Sequence, residues 1–469
     1  MDLTSTLIDI VGPHHVLSAA DVVLGYTTDW TGRFVGKGSV VVRPGSTEEV
    51  AAIVATCRSE GVGIVPQGGN TGLVGGSVPF NGEVVVSLRR LDDVGDVDPI
   101  TGLIIAGAGS TLASVQQAAA RTGRRYAIDM GSRDSATIGG TVATNAGGLN
   151  LIRYGGTREQ LVGVEAVLGS GSTVSAMSGL PKDNTGYHFP SLLCGSEGTL
   201  GIVTRVLLRT VTAVTHRATA LVAFSSWDEA VQAVSTWRSE LPDLEAAEVM
   251  TGEGIELVSG LIGLPSPLGN ISGVQVLVEL AGVSDPAERL AEAVESVAGV
   301  VGVAVAADDR HRRLLWRFRE EHTAAINRLG PPHKFDVTLP LPRLGEFVEE
   351  ARHRIASSAP EASLWVFGHV GDGNLHLNVT GVDSDHEEVD DLALSLVIEM
   401  GGSISAEHGI GTAKVRHLEW QHSHAHLEAM RSIRRSLDPA GVLNPTVLVP
   451  ISESGSVDSK VGEVDIFEC

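Results

Sequence analysis

Two histidines stand seven positions apart in the segment GHVGDGNLHLNV, at His369 and His376. A second segment, SAEHGIG at 405–411, places the carboxylate of Glu407 beside a third imidazole, His408. First-row divalent metals bind imidazole nitrogens and carboxylate oxygens, and two histidines with one glutamate form a known catalytic zinc set. These residue types predict a metal site at His369, His376 and Glu407, with buried structural histidines as the alternative.

Two kinds of chemistry would use such a metal. It could activate water for hydrolysis, or it could lower the pKa of a substrate hydroxyl so that hydride leaves the carbon more readily. The second reaction needs a neutral base with a free nitrogen, and we predict that role for His408. The alternative for His408 is a fourth metal ligand or a structural group.

Two glycine-rich segments indicate a large phosphate-bearing cofactor. PQGGNTGLVGG at 66–76 directly follows an apolar strand, and its N–H groups could turn inward to hold an anion. SATIGGTVATNAGGL, which begins at Ser135, consists mostly of small residues that let a backbone approach a ligand closely. Neither segment matches the Walker or the dinucleotide-binding glycine pattern. A tight helix–sheet contact is the alternative explanation for the second segment.

The bulk composition describes a globular chain with several domains. Its 469 residues exceed one ordinary core, and its formal charge of -23 argues against nucleic acid or an acidic membrane surface as a partner. Three unclustered cysteines favour a reduced, cytoplasmic compartment. We find no apolar run of the length that a transmembrane helix needs, and no signal peptide is evident.

The pattern of strands and helices divides the chain into four parts. A lead-in at 1–38 precedes a region at 39–213 in which capped helices alternate with strands, as in β-α-β units. The strand-like segments EVVVSL and LIIAGAG are expected to continue its first sheet. Residues 214–445 predict an α+β layer with antiparallel pairing and a closing helix. The acidic tail at 446–469 is expected to be frayed.

Five segments of the first half resemble the FAD-binding domain of the vanillyl-alcohol oxidase and p-cresol methylhydroxylase flavoprotein superfamily. They are VRPGSTEEVAAIV, PQGGNTGLVGG, TIGGTVATNAGGL, KDNTGY and GSEGTLGIVT. In the second half, GHVGDGNLHLNV, SAEHGIG and DPAGVLNP resemble the branch that contains dehydrogenases of D-lactate, glycolate and D-2-hydroxyglutarate. The resemblance covers residues 40–448. It implies an α+β fold, with a two-subdomain FAD-binding domain and an α+β cap domain that binds the substrate.

The resemblance also implies that FAD is bound without a covalent link. Some members of the superfamily attach FAD through a histidine in the first glycine loop, and this chain has Asn70 there instead. The first loop would wrap the pyrophosphate, and later segments would line the flavin and adenosine. The implied FAD contacts are Pro66, Gly68, Gly69, Asn70, Thr71, Gly72, Gly75, Gly76, Ser77, Gly131, Ser132, Thr137, Gly139, Gly140, Thr144, Asn145, Gly147, Gly148, Glu197, Ile202 and Asn444.

The resemblance implies oxidation of a D-2-hydroxy acid, foremost D-2-hydroxyglutarate to 2-oxoglutarate, with hydride transfer from C2 to flavin N5. Arg319 and Thr323 would share one helix face and hold the distal carboxylate, with Arg317 as the alternative if the helix register differs. A second cation at Lys334 favours a dicarboxylate over lactate or glycolate, because an unpaired buried charge is costly. The implied substrate-binding residues are Arg319, Thr323, Lys334, Asn378 and His408.

Several alternatives stay open at this point. D-Lactate, D-malate or glycolate could be the substrate within the same family. A metal-dependent hydrolase without flavin and a non-catalytic metal or nucleotide sensor are the other classes. Zinc is the expected metal, with manganese, cobalt or iron as alternatives. The resemblance favours an electron-transfer flavoprotein as electron acceptor over a quinone or oxygen, and a homodimer is one option for the assembly.

Overall fold

The computed structural model describes residues 2–269, 271, 273–383 and 386–450. These residues form four sheets together with α-helices and three short 3-10 helices. Within the described ranges, no helix is both long enough and apolar enough to cross a bilayer. The predicted frayed tail lies, from residue 451 onward, outside the described residues.

The N-terminal part is built on a small sheet with parallel pairing. Its elements are α1 (Leu3–Val11), β1 (Val16–Leu17), α2 (Ala20–Thr27), β2 (Val40–Val42), α3 (Thr47–Glu60), β3 (Ile64–Gln67) and β4 (Val84–Ser87). The strand order is β1-β2-β4-β3, and both β2 and β3 run parallel to β4. Ser46 caps α3 by accepting the N–H of Glu49, and Gly61 ends it in the left-handed conformation. The predicted β-α-β unit is therefore present.

A second, antiparallel sheet follows. Its region contains β5 (Leu103–Gly107), α4 (Leu112–Ala120), β6 (Arg124–Arg125), α5 (Ile138–Thr144), α6 (Leu151–Tyr154), α7 (Thr157–Gln160), β7 (Leu161–Val167), β8 (Thr173–Ala176), α8 (Phe189–Leu193), β9 (Ile202–Arg209) and β10 (Val211–Thr212). The order is β5-β9-β7-β8, while β6 pairs with β10. The prediction that LIIAGAG continues the first sheet is wrong, because β5 pairs with β9. The partner lies about a hundred positions away, so no local pattern reveals it.

The C-terminal part is built on one large sheet flanked by helices. Its elements are β11 (His216–Phe224), α9 (Trp227–Glu240), β12 (Leu244–Thr251), α10 (Gly252–Ile262), β13 (Val274–Gly282), α11 (Ala287–Glu295), β14 (Val300–Val305), α12 (Asp309–Glu320), α13 (His322–Asn327), β15 (His333–Thr338), α14 (Leu344–Ser358), β16 (Ser363–His369), β17 (Asn374–Thr380), α15 (Glu387–Glu399), α16 (Leu418–Gln421) and α17 (His424–Leu437). The order β14-β11-β13-β12-β16-β17-β15 is antiparallel throughout, as predicted.

The two faces of this sheet have different chemistry. On β15 and β17, Phe335, Val337, Leu375 and Leu377 belong to the largest buried apolar cluster, which also includes residues of α14 and α15. Burying each such side chain stabilises the fold by about 1.5–3 kcal/mol. Because successive side chains of a strand point to opposite faces, the residues between them lie on the other face. That face carries Asp336 and His376, and also a second buried apolar cluster in which Met250 and Phe367 pack with residues of α10, α12 and α13.

The predicted long helix around Arg319 is interrupted. α12 ends at Glu320 and α13 begins at His322, after a turn at Glu321. Arg319 is buried, whereas Thr323 is exposed. The prediction that these two residues share one helix face is therefore wrong, because they lie in separate helices.

Candidate active site

A cavity whose wall is rich in glycine lies between the segments that resemble an FAD-binding domain and the loop that carries Glu407 and His408. We call it the glycine-walled cavity. Most of the predicted FAD contacts line it: Pro66, Gly68, Gly69, Asn70, Thr71, Gly72, Gly76, Ser77, Ser132, Thr137, Gly139, Gly140, Thr144, Gly147, Gly148, Glu197, Ile202 and Asn444. Three others, Gly75, Gly131 and Asn145, lie outside the lining.

Glycine lets two loops form this wall without side chains. A Cβ atom added to Gly69 would overlap the carbonyl oxygen of Ser135, and one at Gly68 would overlap the hydroxyl of Thr137. The first glycine loop therefore packs directly on the second glycine-rich segment. The result is a long groove of backbone groups, which fits an extended cofactor with phosphates and flat rings.

Three residues of the cavity wall hold backbone conformations that side chains disfavour. Asn70, Glu197 and Asn444 have φ values of 56, 51 and 42 degrees. Such conformations cluster where a site needs a fixed geometry. The amide of Asn444 donates to the carbonyl oxygens of Gly76 and Glu197, and its Oδ1 has no protein partner among the described residues. That buried oxygen is an acceptor available to a bound cofactor.

Two of the three residues outside the lining have structural roles. Gly75, at a φ of 72 degrees, packs where a Cβ would meet the side chains of Phe34 and Thr412. Asn145 ends α5 in the left-handed conformation, and its Oδ1 accepts the N–H of Arg158 at 3.0 Å. These positions support the cavity wall without facing the cavity.

Glu197 holds the loop of Glu407 and His408 in place. Its two carboxylate oxygens accept the backbone N–H groups of Ile410 at 2.8 Å and Gly411 at 2.7 Å. Burial raises the pKa of Glu197, and these two hydrogen bonds act in the opposite direction. The predicted cofactor residue thus uses its carboxylate to position the loop.

Five residues above the cavity form what we call the histidine cluster: Glu248, Asp336, His369, His376 and His408. The Nε2 atoms of His369 and His376 lie 3.3 Å apart. The opposite ring nitrogens face carboxylates, with Glu248 Oε1 at 2.7 Å from His369 Nδ1 and Asp336 Oδ1 at 3.4 Å from His376 Nδ1. Each carboxylate orients one imidazole so that the Nε2 atoms converge.

Strand register brings this cluster together. Asp336 on β15 lies directly opposite His376 on β17, which in turn lies opposite Phe367 on β16. β12 is the next neighbour of β16, and Glu248 projects from it towards His369. Sequence positions more than a hundred apart therefore meet on one face of the sheet.

The donor set fits a divalent metal. Carboxylates that accept a proton from Nδ1 leave Nε2 as a lone-pair donor, which is the usual arrangement around a metal-bound histidine. Burial would lower the pKa of His369, but Glu248 and Glu407 raise it to about 9. The surroundings of His369 thus favour a positive charge. Glu407 is the predicted third ligand, and its Oε1 accepts the N–H of Gly148 at 2.6 Å.

The structure brings together a different set of possible ligands. Donor atoms of Asp336, His376 and His408 lie within 4.8 Å of one another, and within the described residues this set includes neither His369 nor Glu407. However, Asp336 already accepts the N–H groups of Glu407 at 2.7 Å and His408 at 2.9 Å, and the amide of Asn374 at 2.8 Å. Burial would raise the pKa of Asp336, but the imidazoles of His408 and His376 hold it well below its usual range. Asp336 is therefore better suited to orienting ligands than to being one.

His408 has the surroundings of a proton acceptor. It lines the glycine-walled cavity, and its Nδ1 lies 3.7 Å from Asp336 Oδ2. Burial lowers the pKa of His408, which favours the neutral imidazole. A neutral imidazole between a cofactor cavity and a metal-binding set can accept a proton from a substrate hydroxyl.

The predicted substrate residues fall in different surroundings. Lys334 and Asn378 face each other across β15 and β17, next to the pair of Asp336 and His376. Burial and the nearby Arg33 lower the pKa of Lys334. Among the described residues, no carboxylate lies within ion-pair distance of its ammonium group. Asn378 is buried, and strand alternation puts both side chains on the face that carries Asp336 and His376.

Arg319 uses part of its guanidinium group in contacts within the protein. Its Nε lies 2.7 Å from Glu248 Oε2, and its guanidinium lies over the ring of Phe367 at 4.9 Å. The ion pair supports Glu248 and, through it, His369. Arg317, the alternative to Arg319, is exposed and lines a separate cleft.

Sequence analysis missed the two carboxylates that orient the imidazoles. Glu248 lies in LEAAEVM together with Glu245, and Asp336 lies in KFDVTL together with Lys334. A buried charge needs a partner, so a carboxylate among the apolar residues of a strand is itself a signal. Lys414 was missed as well, and its buried ammonium donates to Ile404 O at 2.6 Å.

Comparison with known families identifies both halves of the chain. Residues 38–176 match the model of an FAD binding domain, and residues 214–448 match the C-terminal domain of FAD linked oxidases. D-2-hydroxyglutarate dehydrogenase of Xanthomonas citri pv. viticola is 37% identical over 90% of this chain and 91% of its own. The mitochondrial D-2-hydroxyglutarate dehydrogenase of Bos taurus is 36% identical over 94% of this chain and 82% of its own.

Solved structures agree on the fold. p-Cresol methylhydroxylase with bound substrate superimposes with a TM-score of 0.74 at 14% identity, covering 95% of both chains. 4-Ethylphenol oxidase from Gulosibacter chungangensis gives 0.73 at 19% identity, covering 94% of this chain and 95% of its own. The predicted α+β fold and the resemblance to this superfamily are confirmed. The chain therefore belongs to the FAD-linked oxidase family and is an FAD-dependent oxidoreductase.

Proposed function

We propose that the protein oxidises D-2-hydroxyglutarate to 2-oxoglutarate, with FAD and one divalent metal, most suitably zinc. The observation that carries this proposal is the block of four side chains on β15 and β17. Lys334 and Asn378 form a cationic and amide pair next to Asp336 and His376. The similarity to D-2-hydroxyglutarate dehydrogenases over most of the chain supports the same substrate.

The spacing of this block suits a five-carbon dicarboxylate. Two residues along a strand are separated by roughly 6–7 Å, which is the distance from the Asp336–His376 pair to the Lys334–Asn378 pair. The carboxyl carbons of D-2-hydroxyglutarate are joined by four carbon–carbon bonds of about 1.5 Å each. A substrate with its hydroxyl at the histidine cluster can therefore extend its distal carboxylate to Lys334. D-Lactate has no second carboxylate to place there.

The chain's own residues bind the acid, orient it and remove its hydroxyl proton. FAD bound in the glycine-walled cavity would supply the hydride acceptor, and a metal, which His369, His376 and Glu407 would hold, would lower the pKa of the substrate hydroxyl. His408 takes the proton. Lys334, Asn378 and the free part of the Arg319 guanidinium hold the carboxylates.

Dye-linked oxidation of three acids tests the substrate. D-2-Hydroxyglutarate, D-malate and D-lactate are compared with the wild type, Lys334→Ala and the surface control Lys182→Ala. We expect a preference for D-2-hydroxyglutarate that Lys334→Ala removes and Lys182→Ala keeps. Equal or better use of D-lactate by the wild type, without any effect of Lys334→Ala, would exclude the dicarboxylate.

Metal analysis of purified protein tests the ligand set. Elemental mass spectrometry should find about one equivalent of divalent metal per chain in the wild type, and much less in His369→Ala and His376→Ala. His426→Ala, which changes an exposed histidine of α17, is the matched control. Full metal content in both cluster variants would contradict the proposed ligands.

A further inference from the structure

Seven arginines line a cleft on the surface of a strongly acidic protein. The chain has 34 lysines and arginines against 57 acidic residues, yet this cleft has only four carboxylates. Its volume is about 860 Å³. We call it the arginine cleft. Its arginines are Arg125, Arg133, Arg217, Arg310, Arg312, Arg313 and Arg317.

At the bottom of the cleft, two of the carboxylates are paired with arginines. Glu279 accepts from Arg312 at 2.6 Å and from the Trp316 ring at 2.8 Å. Glu245 lies 2.8 Å from Arg125 and 3.2 Å from Arg217. Because these pairs are largely buried and multiply bonded, they fix the shape of the floor and leave little charge unmatched.

The rim carries the unmatched charge. Arg310, Arg313 and Arg317 are spaced by three and four residues, so they lie on one face of α12, and all three are exposed. In the part of the chain that the structure describes, Arg310 and Arg313 have no carboxylate within 4 Å, and Arg317 has only Glu321 at 3.9 Å. Like charges one turn apart repel each other, and a ligand of opposite charge would relieve that repulsion.

The cleft adjoins the cofactor. Met130 and Ser132 line the glycine-walled cavity, while Asp129 and Arg133 of the same segment line the arginine cleft. Gly148 and Leu149 separate the two spaces in the same way, because Gly148 lines the cavity and Leu149 lines the cleft. The two segments are joined by a hydrogen bond, in which the N–H of Leu149 donates to Asp129 O at 3.1 Å. Only this thin wall separates the two spaces.

We propose that the arginine cleft is the docking surface for the electron acceptor, a redox protein with an acidic surface. This inference rests on the proposed function, in which each oxidised substrate leaves two electrons and one proton on the reduced cofactor. The acceptor protein takes the two electrons and the solvent takes the proton. The cleft is wider than a single small acid needs, and its positive rim would steer a negative partner to the cofactor wall.

A binding measurement tests the surface without turnover. The probe is a fluorescein-labelled peptide of ten glutamates, whose anisotropy is titrated with FAD-loaded protein at low ionic strength. We compare the wild type with Arg310→Gln/Arg313→Gln/Arg317→Gln. The control with the same charge change is Arg58→Gln/Arg121→Gln/Arg238→Gln, at exposed sites outside the cleft. Binding should weaken about tenfold in the cleft variant only, and salt should weaken it in the wild type. Equal binding by all three proteins would overturn the proposal.

Turnover with acceptors of opposite charge tests the role in electron transfer. With D-2-hydroxyglutarate as donor, the cleft variant should lose at least about fivefold in kcat/KM for ferricyanide, and should lose nothing for hexaammineruthenium(III). The control variant should match the wild type with both. A raised KM for the hydroxy acid with either acceptor would instead make the cleft a route for small acids and overturn the docking proposal. Arg313→Gln alone serves if the triple variant folds poorly.

A separate experiment shows whether the proposed function, and not the docking proposal, has failed. Anaerobic mixing with D-2-hydroxyglutarate, without any acceptor, reports only on reduction of the bound FAD. If the flavin stays oxidised, the proposed substrate is wrong, while the peptide titration still reports on the cleft.

Discussion

The glycine-walled cavity and the histidine cluster are formed by different kinds of chemical groups. The cavity wall comes mostly from short segments of the first half, with glycines where a Cβ would overlap the opposite loop, as at Gly69 and Ser135. The cluster consists of charged side chains from separate strands, joined by register, as at Asp336 and His376. In the proposed function, the cavity holds FAD by shape and the cluster performs acid–base chemistry through buried charges.

This difference has an energetic consequence. A glycine loop fails when a side chain intrudes, so its variants should lose cofactor and leave the cluster intact. A buried charge network fails when one partner is removed, because the remaining charge is left uncompensated. The two regions meet at Glu197, which lines the cavity but bonds the loop of the cluster.

Removing the proposed base should have the largest effect. His408→Ala leaves the metal ligands in place and deletes the proton acceptor, so kcat should fall about 10³-fold. FAD content and metal content should stay at the wild-type level. Steady-state kinetics with D-2-hydroxyglutarate measures the change. A loss of less than about tenfold would contradict the role of His408.

Removing the charge of Asp336 should disturb the cluster more than the cavity. Asp336→Asn keeps the size of the side chain but weakens its hold on His376 and on the backbone of Glu407 and His408. Metal affinity should fall about 10- to 100-fold, as for other groups that orient metal ligands. Chelator competition measures it, with the exposed Asp96→Asn as control. If Asp336→Asn lost FAD and kept its metal, Asp336 would support the cavity and not the histidine cluster, and the prediction would be wrong.

A methyl group added to the glycine-rich wall should weaken the binding of FAD and leave the binding of metal unchanged. Gly69→Ala overlaps the Ser135 carbonyl. Overpacking costs about 1–3 kcal/mol, or about one to two powers of ten in FAD affinity. Metal content should not change. Gly186→Ala, at a position with open space, is the control. Unchanged FAD affinity, measured by fluorescence titration, would show that the two loops do not need their close approach.

The smallest expected effect concerns pH. Because burial and Arg33 lower the pKa of Lys334, its positive charge is lost at a lower pH than in a free lysine. The KM for D-2-hydroxyglutarate should therefore rise a few-fold in the alkaline range, while the KM for D-lactate stays flat. Lys334→Ala should abolish the difference between the two profiles. Parallel profiles in the wild type would place the distal carboxylate elsewhere.

The sequence predicts the cavity better than the cluster, for a physical reason. The wall depends on glycine and asparagine at fixed local positions, and those are visible in one segment such as PQGGNTGLVGG. The cluster depends on strand pairing over long separations, which placed Glu248 beside His369 without any local sign. The same limit explains the misassigned sheet of LIIAGAG.

The most direct test of the account is a single-turnover experiment. FAD-loaded protein is mixed anaerobically with D-2-hydroxyglutarate, and the visible flavin absorbance and the 2-oxoglutarate formed are measured together. We expect the flavin band to bleach, with one equivalent of 2-oxoglutarate per flavin, and chelation of the metal to slow this bleaching strongly. A flavin that stays oxidised with D-2-hydroxyglutarate but bleaches with D-lactate would contradict the proposed dicarboxylate site.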